Sequence, residues 1–173
     1  MGRRRWVPAR AALVVAAAIL LQITLVSDLR IAGAVGDVAL VVVVAAGITG
    51  GPDRGVAYGF AVGLAFDLVV DSPFGLTVLT YALVGYGTGL ASAALQRTGG
   101  WLPVAVAGVA GVVHTALFTG LGNLVGVDYP FAEVPSVALA VGVVGAVLVL
   151  PAVHVLWWVH GAPEPDRLEL MLR

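Results

Sequence analysis

Two aspartates four residues apart, Asp67 and Asp71, end an otherwise apolar stretch and are the side chains best placed to do chemistry. A carboxylate at the centre of a bilayer costs about 2.5–3.5 kcal/mol on insertion scales, so a membrane sequence keeps one where it is shielded, paired or used. His114 lies at a similar depth in another apolar stretch and is a candidate partner for Asp67. Such a pair could form a structural hydrogen bond, or carry a proton or a metal ion.

The two aspartates differ in their predicted depth. Asp67 is about 14 residues, or roughly 21 Å, from the inner end of its span, in a hydrocarbon core of about 30 Å. We therefore expect it to make a buried polar contact, neutral or hydrogen-bonded. Asp71 begins the segment Asp-Ser-Pro-Phe-Gly, and aspartate and proline both favour turns. A turn-forming role is expected for Asp71.

Composition places the chain in a membrane. Of its 173 residues, 60% are hydrophobic and 11% are charged, against about 25% charged in an ordinary soluble domain. The formal net charge of −1 argues against a nucleic-acid-binding surface. Cysteine is absent from the sequence, which excludes disulfides and thiolate metal sites. We therefore predict an integral membrane protein.

We predict an all-α fold with six transmembrane spans in a single domain, residues 1–173. A membrane helix needs about 20 mostly apolar residues, and turn-forming segments separate six such stretches. The predicted spans are 9–26, 35–49, 55–70, 74–95, 101–121 and 136–159. The second and third are short and rich in glycine. Residues 160–173 are predicted to be a short cytoplasmic tail.

The distribution of arginine predicts the orientation. With six spans, eight of the nine basic residues fall on one side of the membrane, and only Arg30 falls on the other. Basic residues are retained on the cytoplasmic side, so both termini are predicted to be cytoplasmic in a multi-pass protein of the cell membrane. The alternative of a signal peptide cleaved near residues 32–34 is less favoured, because the apolar run is long for such a segment.

Glycines precede Asp67 at intervals of four residues. On a helix, Gly59, Gly63 and Asp67 share one face, and glycines spaced in this way let another helix approach closely. Packing inside the bundle is favoured over a contact between chains, although small residues serve both. Asp37 begins span two, where a carboxylate interacts favourably with the helix dipole.

Enzymatic motifs are not found. The sequence contains no His-Glu-x-x-His, no Gly-x-Ser-x-Gly and no phosphate-binding Walker loop. The two aspartates lie on one span, unlike the two-helix arrangement of intramembrane aspartic proteases. We predict that the protein is not an enzyme and needs no cofactor or metal.

The stretch from span three into span four resembles the MreD family of rod-shape-determining membrane proteins. The residues that match the family pattern are Gly63, Asp67, Gly75, Leu76, Gly85 and Tyr86. Gly36-Asp37 is similar to the Pro-Asp of the family, with glycine in place of proline. The resemblance implies a six-helix fold similar to the substrate-binding subunit of energy-coupling-factor transporters.

The resemblance also implies a function. It implies a non-enzymatic scaffold that binds an MreC-like single-span protein and organises lateral peptidoglycan synthesis. Through that elongation complex it would act indirectly with MreB, a SEDS glycosyltransferase and a class B transpeptidase, in contact with membrane lipid. The residues expected at helix-packing or partner contacts are Gly59, Gly63, Asp67, Asp71, Gly75, Gly85 and Tyr86, with His114 as a possible buried polar partner.

Two other classes remain open. A vitamin-type substrate-binding subunit of a transporter needs polar groups around an outward cavity. The candidates for that role are Asp67, Asp71, Thr77, Tyr81 and Asn123, which is few for a polar vitamin. A proton-coupled carrier needs a chain of ionisable groups, and only Asp67 and His114 are deep enough.

Overall fold

The computed structural model describes residues 7–26, 30–31, 34–69, 74–94 and 101–161. Its five α-helices are α1 (Val7–Val26), α2 (Val38–Asp67), α3 (Leu76–Ala94), α4 (Leu102–Leu124) and α5 (Val134–His160). A two-residue antiparallel ladder, β1 (Arg30–Ile31) with β2 (Ala34–Val35), lies between α1 and α2. A 3₁₀ turn, Phe131–Glu133, precedes α5. Apart from that ladder, the described chain is helical, as predicted.

Five of the described helices are long and apolar enough to cross a membrane, where the sequence predicted six spans. The difference lies in α2, whose 30 residues include most of predicted spans two and three. The connection predicted at 50–55 is instead a bend at Gly51, which has φ 77° and precedes Pro52. Glycine adopts a positive φ readily and proline lacks an N–H, so the pair interrupts the helix. It divides α2 into a first arm, 38–50, and a second arm, 52–67.

The two arms of α2 run in opposite directions. A β-carbon built on Gly55 of the second arm would lie 3.1 Å from the Cα atom of Gly47 in the first arm. Eight residues of a straight helix would separate these positions by about 12 Å. The chain therefore turns back on itself at Gly51, and the arms lie side by side.

Nine consecutive residues of the first arm, 39–47, are buried. Their sequence, Ala-Leu-Val-Val-Val-Val-Ala-Ala-Gly, is apolar on every face of the helix. A helix that is apolar all round is stable where other helices surround it. The first arm is accordingly the central element of the bundle.

Helix α3 packs against both arms at Gly85. A β-carbon there would meet the backbone carbonyl group of Gly55 in the second arm, and it would lie 2.9 Å from Cγ1 of Val43 in the first arm. Neither contact leaves room for a side chain. Gly85 thus holds three helical segments together at one point.

Further along the second arm, the same antiparallel packing recurs one helical turn at a time. A β-carbon on Gly59 would lie 2.5 Å from the carbonyl oxygen of Tyr81, and one on Gly63 would lie 2.6 Å from the Cα of Val78. The backbones of the second arm and α3 are therefore in direct contact, which only glycine permits.

One end of the bundle carries basic and aromatic side chains. Arg10 of α1 places its guanidinium 4.6 Å from the ring centroid of Trp158 and donates to the carbonyl of the same residue. Tyr58 Oη lies 2.8 Å from His160 Nε2. The start of α1, the start of the second arm and the end of α5 therefore share this end.

Candidate functional site

At the opposite end of the bundle, two side chains cap the N-terminus of α2. The Asp37 carboxylate accepts a hydrogen bond from the backbone N–H of Leu40, at 2.9 Å. Gln22 of α1 accepts from the N–H of Val38 at 2.6 Å and donates to the carbonyl of Gly36 at 3.2 Å. The first N–H groups of a helix have no partner within it, and their partial positive charge favours a carboxylate. The local sequence thus explains why Asp37 is held there.

Two buried side chains from other helices reach the same carboxylate. The Tyr81 hydroxyl of α3 lies 2.8 Å from Oδ1 and 2.7 Å from Oδ2 of Asp37, and donates to it. His114 of α4 places Nε2 3.6 Å from Oδ2, and its ring centroid lies 5.0 Å from that of Tyr81. Tyr81 is 1% exposed and His114 is 7% exposed. Asp37 therefore joins α2, α3 and α4.

A cavity of about 350 Å³ adjoins this cluster. Its walls come from all five helices and from the segment before α5. Its polar lining includes Gln22, Asp37, Thr77, Tyr81, His114 and Glu133. Mostly apolar walls with a few convergent polar groups are typical of small-molecule sites, and this volume is near the lower end of their range of about 300–1,000 Å³.

Only some of the residues that the sequence suggested for a ligand cavity line the observed one. Thr77 and Tyr81 line it. Asp67 and Asn123 do not: the Asn123 side chain binds Tyr129 and the carbonyl of Thr119. Asp71 lies outside the described residues. Asp37 and His114 supply the polar groups that the sequence argument did not count.

Asp67 has a structural role at the start of α3. Its Oδ2 accepts hydrogen bonds from the backbone N–H groups of Gly75, at 2.8 Å, and Val78, at 3.4 Å. The side chain is 6% exposed. Asp67 is thus a buried, hydrogen-bonded carboxylate, whereas His114, its candidate partner, lies against Asp37. Asp67 ends α2 and binds the first turn of the next helix, so the buried carboxylate also helps to form the connection between α2 and α3.

The remaining predicted contact residues divide into two groups. Gly59, Gly63 and Gly85 lie at the backbone contacts between α2 and α3. Gly75 has φ 93° and precedes α3, a backbone conformation that other residues rarely adopt. Tyr86 is 46% exposed and faces away from the bundle. The three glycines between α2 and α3 therefore make contacts inside the chain, whereas the Tyr86 side chain is exposed on the outside of the bundle.

Asp37 was predicted only as a residue at the start of a helix, and Gln22 was not predicted to have a role. Each is a polar residue at the edge of an apolar stretch: Asp37 opens span two, and Gln22 lies near the end of span one. This position at the edge of a span could have marked both residues as candidates for the site, because the ends of successive antiparallel helices lie close together. The convergence of Asp37 with Tyr81 and His114 had no such signal, because it depends on which helices are neighbours.

The cluster does not have the composition of a metal centre. Within the described ranges, no group of three His, Cys, Asp or Glu side chains is arranged to hold a metal ion. The Asp37 carboxylate is engaged by Tyr81, by Leu40 N–H and by the nearby His114. The arrangement can hold helices in register and place a few polar groups in the wall of a mostly apolar cavity.

Comparison with known proteins gives the family. The family model described as rod shape-determining protein MreD matches residues 4–156, most of the chain. No curated protein and no solved structure shows significant similarity to the chain. Together with five apolar helices of membrane-spanning length, the match indicates an integral membrane protein with a part in rod shape determination. The chain belongs to the MreD family of rod shape-determining proteins.

Proposed function

We propose that the protein is a non-enzymatic membrane scaffold of the cell-elongation machinery. It binds an MreC-like single-span partner and so organises lateral peptidoglycan synthesis. The observation that carries the proposal is the match of the MreD family model over residues 4–156. MreD is a family of shape-determining membrane proteins and is not a known enzyme family.

The use of the buried polar groups supports a scaffold. Asp37 and Asp67 bind the N-terminal backbone of α2 and α3, and Gln22 assists at α2. Buried polar groups that are satisfied in this way fix the relative positions of helices. Nucleophilic catalysis needs a nucleophile beside a general base. The described serines have no such neighbour: Ser136 Oγ donates to the carbonyl of Glu133, and Ser92 Oγ has no hydrogen-bond partner among the described residues.

We further propose six membrane crossings with both termini in the cytoplasm. Antiparallel arms of α2 support two crossings in that helix, although each arm, at about 20–24 Å, is shorter than the hydrocarbon core. Arg10 and His160, from the first and last helices, lie at the same end of the bundle. A single crossing by α2 would put them on opposite sides.

Reporter fusions at residues 53, 98, 130 and 173 test this topology. We expect cytoplasmic signals at 53, 98 and 173 and an extracytoplasmic signal at 130. A signal at 98 from outside the cell would contradict six crossings.

Depletion and copurification test the scaffold function. Depletion in the source cell should cause rounding without a nutrient requirement, and the affinity-purified protein should retain an MreC-like protein. Recovery of an ATPase module and a nutrient requirement would instead indicate a transporter subunit.

A further inference from the structure

We propose that the cavity beside Asp37 binds a small protonated amine with an apolar portion. This ligand site is additional to the scaffold function and does not depend on it. Three features of the cavity carry the inference: its charge, its unpartnered polar atoms and its aromatic walls.

The charge of the cavity favours a cation. Among the described residues that line it are two carboxyl groups, those of Asp37 and Glu133, and no arginine. Asp37 is fixed by Tyr81 and by the N-terminus of α2, so the carboxylate is already oriented toward the bundle interior. Charge of one sign in a site with low-dielectric walls concentrates ligands of the opposite sign.

Within the part of the chain that the structure describes, two buried polar atoms of the lining have no hydrogen-bond partner. They are Nδ1 of His114 and Oγ1 of Thr77, on side chains that are 7% and 2% exposed. His114 presents Nε2 to Asp37, which favours the tautomer with the proton on Nε2 and leaves Nδ1 as an acceptor. Leaving buried polar groups unpaired is costly, and both side chains belong to the cavity wall.

Aromatic rings form a continuous row along the cavity. Ring centroids are 5.0 Å apart for Tyr81 and His114, 5.8 Å for His114 and Phe118, and 5.5 Å for Phe118 and Tyr129. All four residues line the cavity. Aromatic faces attract cations within about 6 Å and also bury apolar groups. An ammonium group attached to a small apolar body matches these walls.

The volume limits the ligand. About 350 Å³ accommodates a molecule with roughly a single ring and a short chain. The amine could be a free compound or the ammonium headgroup of a phosphatidylethanolamine lipid, since both present the same group.

The test uses the full chain in nanodiscs of phosphatidylglycerol at low salt. Three probes of similar size differ in charge: benzylamine, benzyl alcohol and benzoate. Isothermal titration should show benzylamine binding at least about tenfold more tightly than either of the others, the equivalent of one opposite-charge contact. Equal binding of all three, or binding of none, would overturn the proposal.

Variants locate the binding. Phe118→Leu should weaken benzylamine binding about two- to fivefold, as expected for loss of one cation–π contact, while Phe60→Leu on the outer surface should have no effect.

Asp37→Asn should weaken benzylamine binding at least about tenfold, with Asp53→Asn, exposed at the bend of α2, as the matched control. If Asp37→Asn does not fold, Glu133→Gln tests the charge at an exposed position and should weaken binding about twofold. Unchanged affinity in both Phe118→Leu and Glu133→Gln would contradict this site.

A second set of nanodiscs identifies the source of the amine. Replacing half of the phosphatidylglycerol by phosphatidylethanolamine should lower the apparent affinity for benzylamine if the headgroup occupies the cavity. Replacement by phosphatidylcholine, which has no N–H donor, is the control for the loss of anionic lipid. Equal affinity in the two mixtures assigns the site to a free amine.

Discussion

The two faces of the second arm of α2 have similar sequences and opposite environments. On one face, Gly55, Gly59 and Gly63 repeat every four residues and touch the backbone of α3. On the other, Ala57, Ala61 and Ala65 repeat every four residues and line an open groove of about 770 Å³ against α1. Small residues at helical spacing therefore do not by themselves show which face is closed within the chain.

The two faces differ in how closely the neighbouring helix approaches. Without a β-carbon, the second arm and α3 approach until their backbones touch, and the contact excludes lipid. On the alanine face, an open groove with apolar walls lies between the second arm and α1. The glycine face stabilises the fold, whereas the alanine face is accessible to lipid or to another helix. The following substitutions test that contrast and extend it to the polar ends of the helices.

The largest effect is expected for Gly59→Leu. Its β-carbon would lie 2.5 Å from the carbonyl oxygen of Tyr81 and 2.7 Å from the Cα of Ala82, both of which are backbone atoms. The backbone can move only by separating the helices, so we expect a loss of at least about 3 kcal/mol or failure to fold. Gly87→Leu is the matched control, because nothing lies within 4 Å of its β-carbon. Equal thermal solubility of the two variants in detergent would show that the glycine face is not closely packed.

The next effect is expected at Asp67, where the glycine face ends. Asp67→Asn retains an acceptor for the N–H of Gly75 and should be close to the parent protein. Asp67→Leu leaves that buried donor unsatisfied and should destabilise the protein by about 1–3 kcal/mol. The readouts are the midpoint of thermal unfolding and rescue of rod shape in a depletion strain at matched membrane levels. An inactive Asp67→Asn that assembles normally would argue for a proton-carrying role instead.

A smaller effect is expected for Tyr81→Phe. The substitution removes the hydroxyl that donates to Asp37 and leaves the ring in place. A hydrogen bond to a charged group contributes about 1.5–3 kcal/mol, and the cavity allows water to replace part of that loss, so we expect about 1 kcal/mol. Tyr86→Phe, on the exposed side of the same helix, serves as the control. Similar unfolding midpoints for the two variants would mean that the Tyr81–Asp37 bond does not stabilise the bundle.

The smallest effect on stability is expected for Ala61→Leu, on the alanine face. Ala61 is exposed in the groove, so a larger apolar side chain has room, and the free energy of unfolding should change by less than about 0.5 kcal/mol. Thermal solubility measured beside Gly59→Leu provides the comparison. A destabilisation as large as that of Gly59→Leu would show that α1 closes on the second arm as tightly as α3 does.

The sequence alone determined the membrane class, the helical fold and the family resemblance. These depend on local properties: 60% hydrophobic residues, apolar stretches of spanning length, and the motif from Gly63 to Tyr86. The helix-packing glycines were also predictable in kind, because their spacing places them on one face. The reversal at Gly51 was predictable only as a turn, since glycine and proline mark a break without specifying its length.

The tertiary structure decided which partners the polar residues have. Similar depths made His114 a candidate partner for Asp67, yet Asp67 binds the start of α3, and His114 lies against Asp37. Depth along a helix is a one-dimensional property that follows from counting residues. Adjacency depends on the rotation and order of helices around the central first arm, and these result from packing contacts distant in sequence. The cavity, with walls from all five helices, exists only once those contacts have formed.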